Sequence, residues 1–282
     1  MQIVDRGNGV PIVIVPGIQG RWEWMRPAVE ALAQQCRVIT FSLADEPTCG
    51  GRFDPASGFD CYVEQIGAAL DQAGLERAAI CGISYGGLIA AAFAARHRER
   101  STALVLVSAL PPSWSPDPRV RFYLRAPQLL SPLFMLASLQ MYREIAAATP
   151  GVLPGIGAAL GHGATVLRHM FSPSRMAARV SHLGPPGLSD ELRAVRLPTL
   201  VITGESRLDR VVPVHRTREY LALWPHAIAA TIEGTGHLGL ITRPDEFARL
   251  VVPFVERNAS RVLGGSGRWP DPTSNVVRRR IV

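Results

Sequence analysis

A serine set between glycines is the first residue in this chain whose neighbours suggest chemistry. Gly82-Ile83-Ser84-Tyr85-Gly86-Gly87 follows the apolar run Ala78-Ala79-Ile80-Cys81 and leads into an Ala-rich stretch from Leu88 to about Arg96. Read as strand, sharp turn and helix, this is the G-x-S-x-G arrangement of a nucleophilic serine. The spacing has a steric reason. Such a turn leaves no room for side chains two residues before and two residues after the serine, and glycine supplies none. The hydroxyl then projects at the head of the sheet. The helix start behind it offers N–H groups and a positive dipole end to a developing oxyanion. The competing reading is a glycine turn that happens to contain a serine.

The elements that must position this serine are legible as alternating patterns. Pro11–Val15, Val38–Leu43, Ala78–Gly82, Ala103–Val107, Leu200–Gly204 and Ala227–Ile232 are short and apolar on both faces, as parallel strands covered by helices should be. Between them, Val63, Ile66 and Leu70 share one helical face ahead of Gly74, and Phe247, Leu250 and Phe254 do so near the C-terminus, with Pro244 near the helix start. Strand, helix, strand, helix predicts an α/β fold: a doubly wound, mostly parallel sheet with right-handed crossovers. The alternation stops between about Leu110 and Leu197. That stretch is rich in Pro, Leu, Ala and Met, as in Leu129-Leu130-Ser131-Pro132-Leu133-Phe134-Met135-Leu136. It predicts a helical cap over the sheet edge where ligands bind, or else a packing appendage. The expected organisation is a core of residues 1–110 and 197–257, a cap insertion of 111–196, and a tail of 258–282.

Bulk properties narrow the partners. The 282 residues are 47% hydrophobic, enough for one sizeable core. No run of about 18 apolar residues suggests a membrane span, and Met1–Arg6 lacks the apolar stretch of a secretory signal. The expectation is a soluble, cytoplasmic protein with Cys36, Cys49, Cys61 and Cys81 reduced, although Cys49 and Cys61 flank a loop and could pair. The net charge is +7, and every basic side chain is arginine. Most arginines are scattered singly, which disfavours a nucleic-acid patch. The tail is the exception: Arg261, Arg268 and Arg278-Arg279-Arg280 stand against Asp271 alone, beside Gly264-Gly265-Ser266-Gly267, a composition expected to stay disordered.

The order of these signals resembles the α/β-hydrolase superfamily over about residues 2–257, and three further motifs fall where that resemblance expects them. Pro16-Gly17-Ile18-Gln19-Gly20 follows the first long strand. In the family this turn supplies one oxyanion-hole N–H, usually within a His-Gly sequence; here Pro stands at the His position. The resemblance implies the N–H groups of Ile18 and Tyr85 as the two donors. Leu208-Asp209-Arg210-Val211-Val212-Pro213 matches the family's acid loop, which implies Asp209 as the triad acid. Asp209 stands five residues after Gly204 rather than the usual three or so, so Glu205 is a rival. Gly234-Thr235-Gly236-His237-Leu238-Gly239 lies between the last strand and the last helix, where the family keeps its base. Ser84, Asp209 and His237 then occur in the Ser…Asp…His order of this fold. His97, His162, His169, His182, His215 and His226 read as structural or pocket-lining, with no convergent set of metal ligands.

The resemblance implies a serine hydrolase needing no metal or organic cofactor and acting on carboxylic esters. The apolar cap residues Phe122, Tyr123, Leu129, Leu130, Leu133, Phe134, Met135 and Met141 suggest a small to medium hydrophobic substrate. Cap arginines 119, 121, 125, 143, 168, 175 and 179 read either as receptors for a substrate carboxylate or as solvated surface. Trp22 and Trp24, just after the oxyanion turn, suit the pocket or the core equally. The alternatives in the same superfamily are hydrolysis of carbon–carbon bonds in ring-cleavage products, cofactor-free perhydrolysis, and ligand reception without turnover.

Overall fold

Strand residues that alternate between two helix layers must be apolar on both sides, and the central strands meet that condition throughout. The computed structural model describes residues 1–51, 53–132, 144–145, 168–169, 172–183, 185 and 187–262. Strands β1 (Val4–Arg6), β2 (Val10–Val15), β3 (Cys36–Thr40), β4 (Ala78–Ile83), β5 (Ser101–Val107), β6 (Thr199–Thr203) and β7 (Ile228–Thr231) form one sheet. Their order is β1-β3-β2-β4-β5-β6-β7. β1 runs antiparallel to β3, and the remaining neighbours pair in parallel.

Two apolar layers follow from the period-two alternation along each strand. Val13, Val15, Ile80, Leu104 and Leu106 face helices α2 (Gly58–Gln72) and α3 (Tyr85–Arg96), meeting Tyr62, Val63, Ile66, Leu88, Ile89 and Phe93. Ile12, Ile14, Cys81, Val105 and Ile202 face helix α1 (Arg26–Leu32) and the C-terminal helix Pro244–Val262, meeting Val29, Leu32, Phe247, Val251 and Val255. Helix α3 starts so close to the ends of β2 and β5 that two positions of its first turn, Gly86 and Gly87, have no room for a Cβ. A Cβ at Gly87 would collide with Ala109, and one at Gly86 with the carbonyl oxygens of Val15 and Pro16.

Two expectations for the sheet change. The short edge strand β1 was absent from the sequence reading, and β3 begins at Cys36 and ends at Thr40 rather than spanning 38–43. Phe41-Ser42-Leu43 leaves the sheet as a buried loop, and Leu43 N–H donates to the Gly20 carbonyl at 2.7 Å. The loop thereby braces the turn after β2.

The described residues of the inserted stretch include the helices α4 (Pro118–Arg125), Pro173–Ser181 and Leu188–Arg193, joined by turns and loops, with no strand among them. Asp117 caps α4, its side chain accepting from Val120 N–H at 2.8 Å. Phe122 and Leu129 are 45% and 79% exposed, so neither lines an enclosed pocket. Leu133, Phe134, Met135, Met141, Arg143 and His162 lie outside the described residues. The C-terminal helix runs on past Asn258 to Val262, and the stretch beyond it is likewise outside the description. All four cysteines are free. No described helix is long and apolar enough to cross a membrane.

Candidate active site

Where β2 and β4 lie side by side, the chain leaves their C-terminal ends in opposite directions across the sheet, the place where open α/β sheets hold ligands. Ser84 stands there, directly after β4. Its backbone sits at φ 53°, ψ −115°, a region costly for any residue with a Cβ. Neighbouring backbone holds it in place. Ser84 N–H donates to Val107 O at 2.9 Å, and its carbonyl accepts from Gly87 and Leu110 N–H, each at 3.0 Å. A Cβ at Gly82 would collide with the carbonyl oxygen of Gly86 and with Gly87, which explains the glycine before the serine.

The turn after β2 packs against this serine. A Cβ at Gly17 would lie 3.5 Å from the Ser84 Cβ. Gly20 N–H closes the turn on the Gly17 carbonyl at 2.9 Å. Gly17 C=O and Ile18 N–H belong to one planar trans peptide, so that bond also fixes the direction of the Ile18 N–H. Among the described residues, no hydrogen bond uses the N–H of Ile18 or of Tyr85.

His237 comes from the loop after β7 and Asp209 from the loop after β6. Glycine again permits the approach: a Cβ at Gly236 would collide with the Leu208 carbonyl. Asp209 Oδ2 lies 3.4 Å from His237 Nδ1, long for a charge-assisted hydrogen bond. Its Oδ1 accepts from Val211 and Val212 N–H, both at 3.0 Å. These two donors are supplied by the Val-Val that follows the aspartate in sequence. Glu205, the rival acid, is engaged elsewhere, its Oε1 accepting from Gly234 N–H at 2.5 Å and its Oε2 from Arg207 at 2.6 Å. His237 and Ser84 line one small cavity of about 40 Å³, together with Gly17, Gln19, Trp24 and Leu240.

The electrostatics suit a neutral-to-cationic histidine. Burial opposes charge on His237, yet the Asp209 carboxylate, its hydrogen bond and the nearby Glu144 together raise its pKa above the ordinary value. Burial likewise pushes Asp209 up, but the His237 charge and the hydrogen bonds from His237 and the Val-Val backbone hold it below the usual carboxylate range.

Other expectations divide. Trp24 lines the cavity, whereas Trp22 lies under Arg6 and Arg26, whose guanidinium carbons are 5.9 and 5.3 Å from its ring centre. His97 meets Glu64, His226 meets the Leu197 carbonyl, and His169 sits beside the Arg21–Glu23 pair. Among the described residues no group of His, Cys, Asp and Glu is arranged to hold a metal ion. Arg119, Arg121, Arg125 and Arg168 are exposed, while Arg175 and Arg179 are bound to Asp45 and Glu46. Arg21, at the cavity wall, is paired with Glu23 at 3.0 Å.

The chain matches the model of the alpha/beta hydrolase family over residues 12–250. It belongs to the α/β hydrolase family. Relatives of this α/β hydrolase include the 2-hydroxymuconate semialdehyde hydrolase of Pseudomonas putida, 28% identical over 277 residues that cover 89% of each chain. The pimeloyl-(acyl-carrier protein) methyl ester esterase of Aliivibrio salmonicida is 26% identical and aligns over 89% of this chain and 94% of its own. The crystal structure of the enol-lactonase from Burkholderia xenovorans LB400 superposes with a TM-score of 0.72 at 21% identity, covering 90% of this chain and 96% of that one.

The sequence reading missed Glu144. This buried carboxylate of the inserted stretch accepts from the N–H groups on both sides of the histidine, at 2.9 Å from Gly236 and in a shorter bond from Leu238. A lone glutamate in an Ala-rich stretch carries no motif that could have announced it.

Proposed function

We propose that this α/β hydrolase is a serine hydrolase that cleaves carboxylic esters of small to medium hydrophobic compounds through an acyl-enzyme. The reading rests on one observation above all: Ser84, held at φ 53°, shares a cavity wall with His237, and Asp209 stands behind that histidine. His237 Nε2 takes the Ser84 proton as the oxygen attacks the ester carbonyl carbon. The carbonyl oxygen becomes an oxyanion held by the Ile18 and Tyr85 N–H groups. His237 then protonates the departing alkoxide, leaving the acyl group on Ser84. A water deprotonated by His237 attacks that acyl carbon, the acid leaves, and Ser84 regains its proton. Asp209 holds the imidazole in the tautomer with Nδ1–H and stabilises the imidazolium.

The ester preference is supported by the state of the arginines. Arg21, at the cavity wall, is paired with Glu23, and Arg175 and Arg179 are paired with Asp45 and Glu46, so none of these three guanidinium groups is free to receive a substrate carboxylate. The similarity to a hydrolase of 2-hydroxymuconate semialdehyde supports a second reading, hydrolysis of a carbon–carbon bond next to a carbonyl by the same residues.

The test is labelling with a fluorophosphonate probe, wild type against Ser84→Ala, with a panel of aryl esters of increasing acyl length. Labelling should vanish in Ser84→Ala, and turnover should vary with acyl length. Labelling that persists would name another nucleophile. Turnover of vinylogous diketo acids with none of esters would select the second reading.

A further inference from the structure

The core and the inserted cap meet at an ion cluster that the proposed mechanism does not use. Arg179, on the cap helix Pro173–Ser181, is fully buried. Its Nε and Nη2 donate to Asp45 Oδ1 at 3.1 and 2.7 Å, and Nη2 also donates to Glu46 Oε1 at 2.5 Å. Arg175, one helical turn earlier, reaches the same Glu46 oxygen at 3.2 Å. Two arginines against two carboxylates leave this cluster without net charge.

One donor of Arg179 points elsewhere. Nη1 donates to the carbonyl of Ile18 at 2.6 Å. The guanidinium occupies the notch beside Gly20, at φ 78°, where a Cβ would collide with it. Gly20 N–H holds the Gly17 carbonyl, which orients the Gly17–Ile18 peptide, and Arg179 holds the next peptide through the Ile18 carbonyl. The two peptide planes that aim the Ile18 N–H are thus tied at both oxygens.

We infer that Arg179 is a positioning residue for the oxyanion hole, so that the seated cap sets the alignment of the Ile18 N–H with Ser84. The inference rests on the serine-hydrolase reading. It assigns Arg179 no contact with substrate. Because the cluster is neutral overall, the effect runs through the geometry of the fork rather than through charge, and a lysine cannot reproduce that fork.

The test compares wild type with Arg179→Lys, and with the triple variant Arg179→Met/Asp45→Asn/Glu46→Gln, which removes the fully buried charges together and leaves only the partly exposed Arg175 without its carboxylate. The readouts are kcat and KM on an aryl ester, the rate of fluorophosphonate labelling, and the melting temperature. Loss of one oxyanion donor lowers kcat by about 10²–10³-fold. Misalignment of one donor should remove part of that, about 10- to 100-fold in kcat and in labelling rate, with KM changed by less than about threefold. Both variants should show the loss although the triple variant melts close to wild type. Folded variants that turn over and label within about twofold of wild type would overturn the inference. So would losses that track melting temperature and are shared between kcat and KM, the pattern of a purely structural role. A wild type that does not label at all would instead sink the serine-hydrolase reading, and this inference with it.

Discussion

Replacing Asp209 by asparagine separates the two jobs of that carboxylate. Oδ1 accepts from Val211 and Val212 N–H, and an asparagine oxygen can keep both bonds. Oδ2 faces His237 Nδ1 at 3.4 Å, where the amide would present N–H instead of a charge. The imidazole must then carry its proton on Nε2, and Nε2 can no longer accept one from Ser84. At 3.4 Å and an effective dielectric constant of about 20, the lost ion-pair energy is about 5 kcal/mol, equivalent to 10³- to 10⁴-fold in rate. Glu144 remains in the electrostatic field of His237 and still favours the imidazolium, which places the expected loss at the lower end, about 10³-fold in kcat. The assay is steady-state hydrolysis of an aryl ester alongside thermal melting. Melting should shift by only a few degrees, because the backbone bonds survive. Asp209→Asn retaining kcat within about tenfold, with Glu205→Gln losing more, would refute the assignment and move the acid to Glu205.

Three further outcomes are expected. The acid limb of kcat/KM in wild type should have its midpoint above the ordinary histidine value of 6.5, since the base works only when neutral and its pKa is raised; Asp209→Asn should move the limb of the residual activity to lower pH, and an unmoved limb would disconnect the pair. Glu205→Gln should leave kcat within about threefold while lowering the melting temperature slightly, because Glu205 Oε1 is tied to Gly234 N–H and not to His237. Gly86→Ala should abolish fluorophosphonate labelling and lower the melting temperature, because the new methyl would push on the Val15 and Pro16 carbonyls just ahead of the oxyanion turn; normal labelling would show that the turn yields without cost.

How much of this was legible in the sequence depends on whether a local pattern carried it. The parallel strands could be read because burial on both faces writes a continuous apolar run. β1 could not, since Val4-Asp5-Arg6 is a three-residue edge strand with two exposed positions. The end of β3 was misplaced because Phe41 and Leu43 are as buried as strand residues while lying in a loop. Ser84, Asp209 and His237 each sit in a glycine or Val-Val context whose steric or hydrogen-bonding purpose is local. Glu144 and Arg179 have no such context. Arg179 meets the Ile18 carbonyl across 161 positions of chain, and among the many arginines of the inserted stretch only the folded contact distinguishes it from a solvated one.

The bent-back torsion at residue 84 has a consequence for anyone improving the robustness of this protein. Glycine alone is at ease at φ 53°, ψ −115°, so the side chain proposed as the nucleophile is also a standing load on the native state, through its Cβ, of order 1–3 kcal/mol. A screen that rewards heat tolerance without asking for turnover would drift toward Ser84→Gly and collect sturdy, inert molecules.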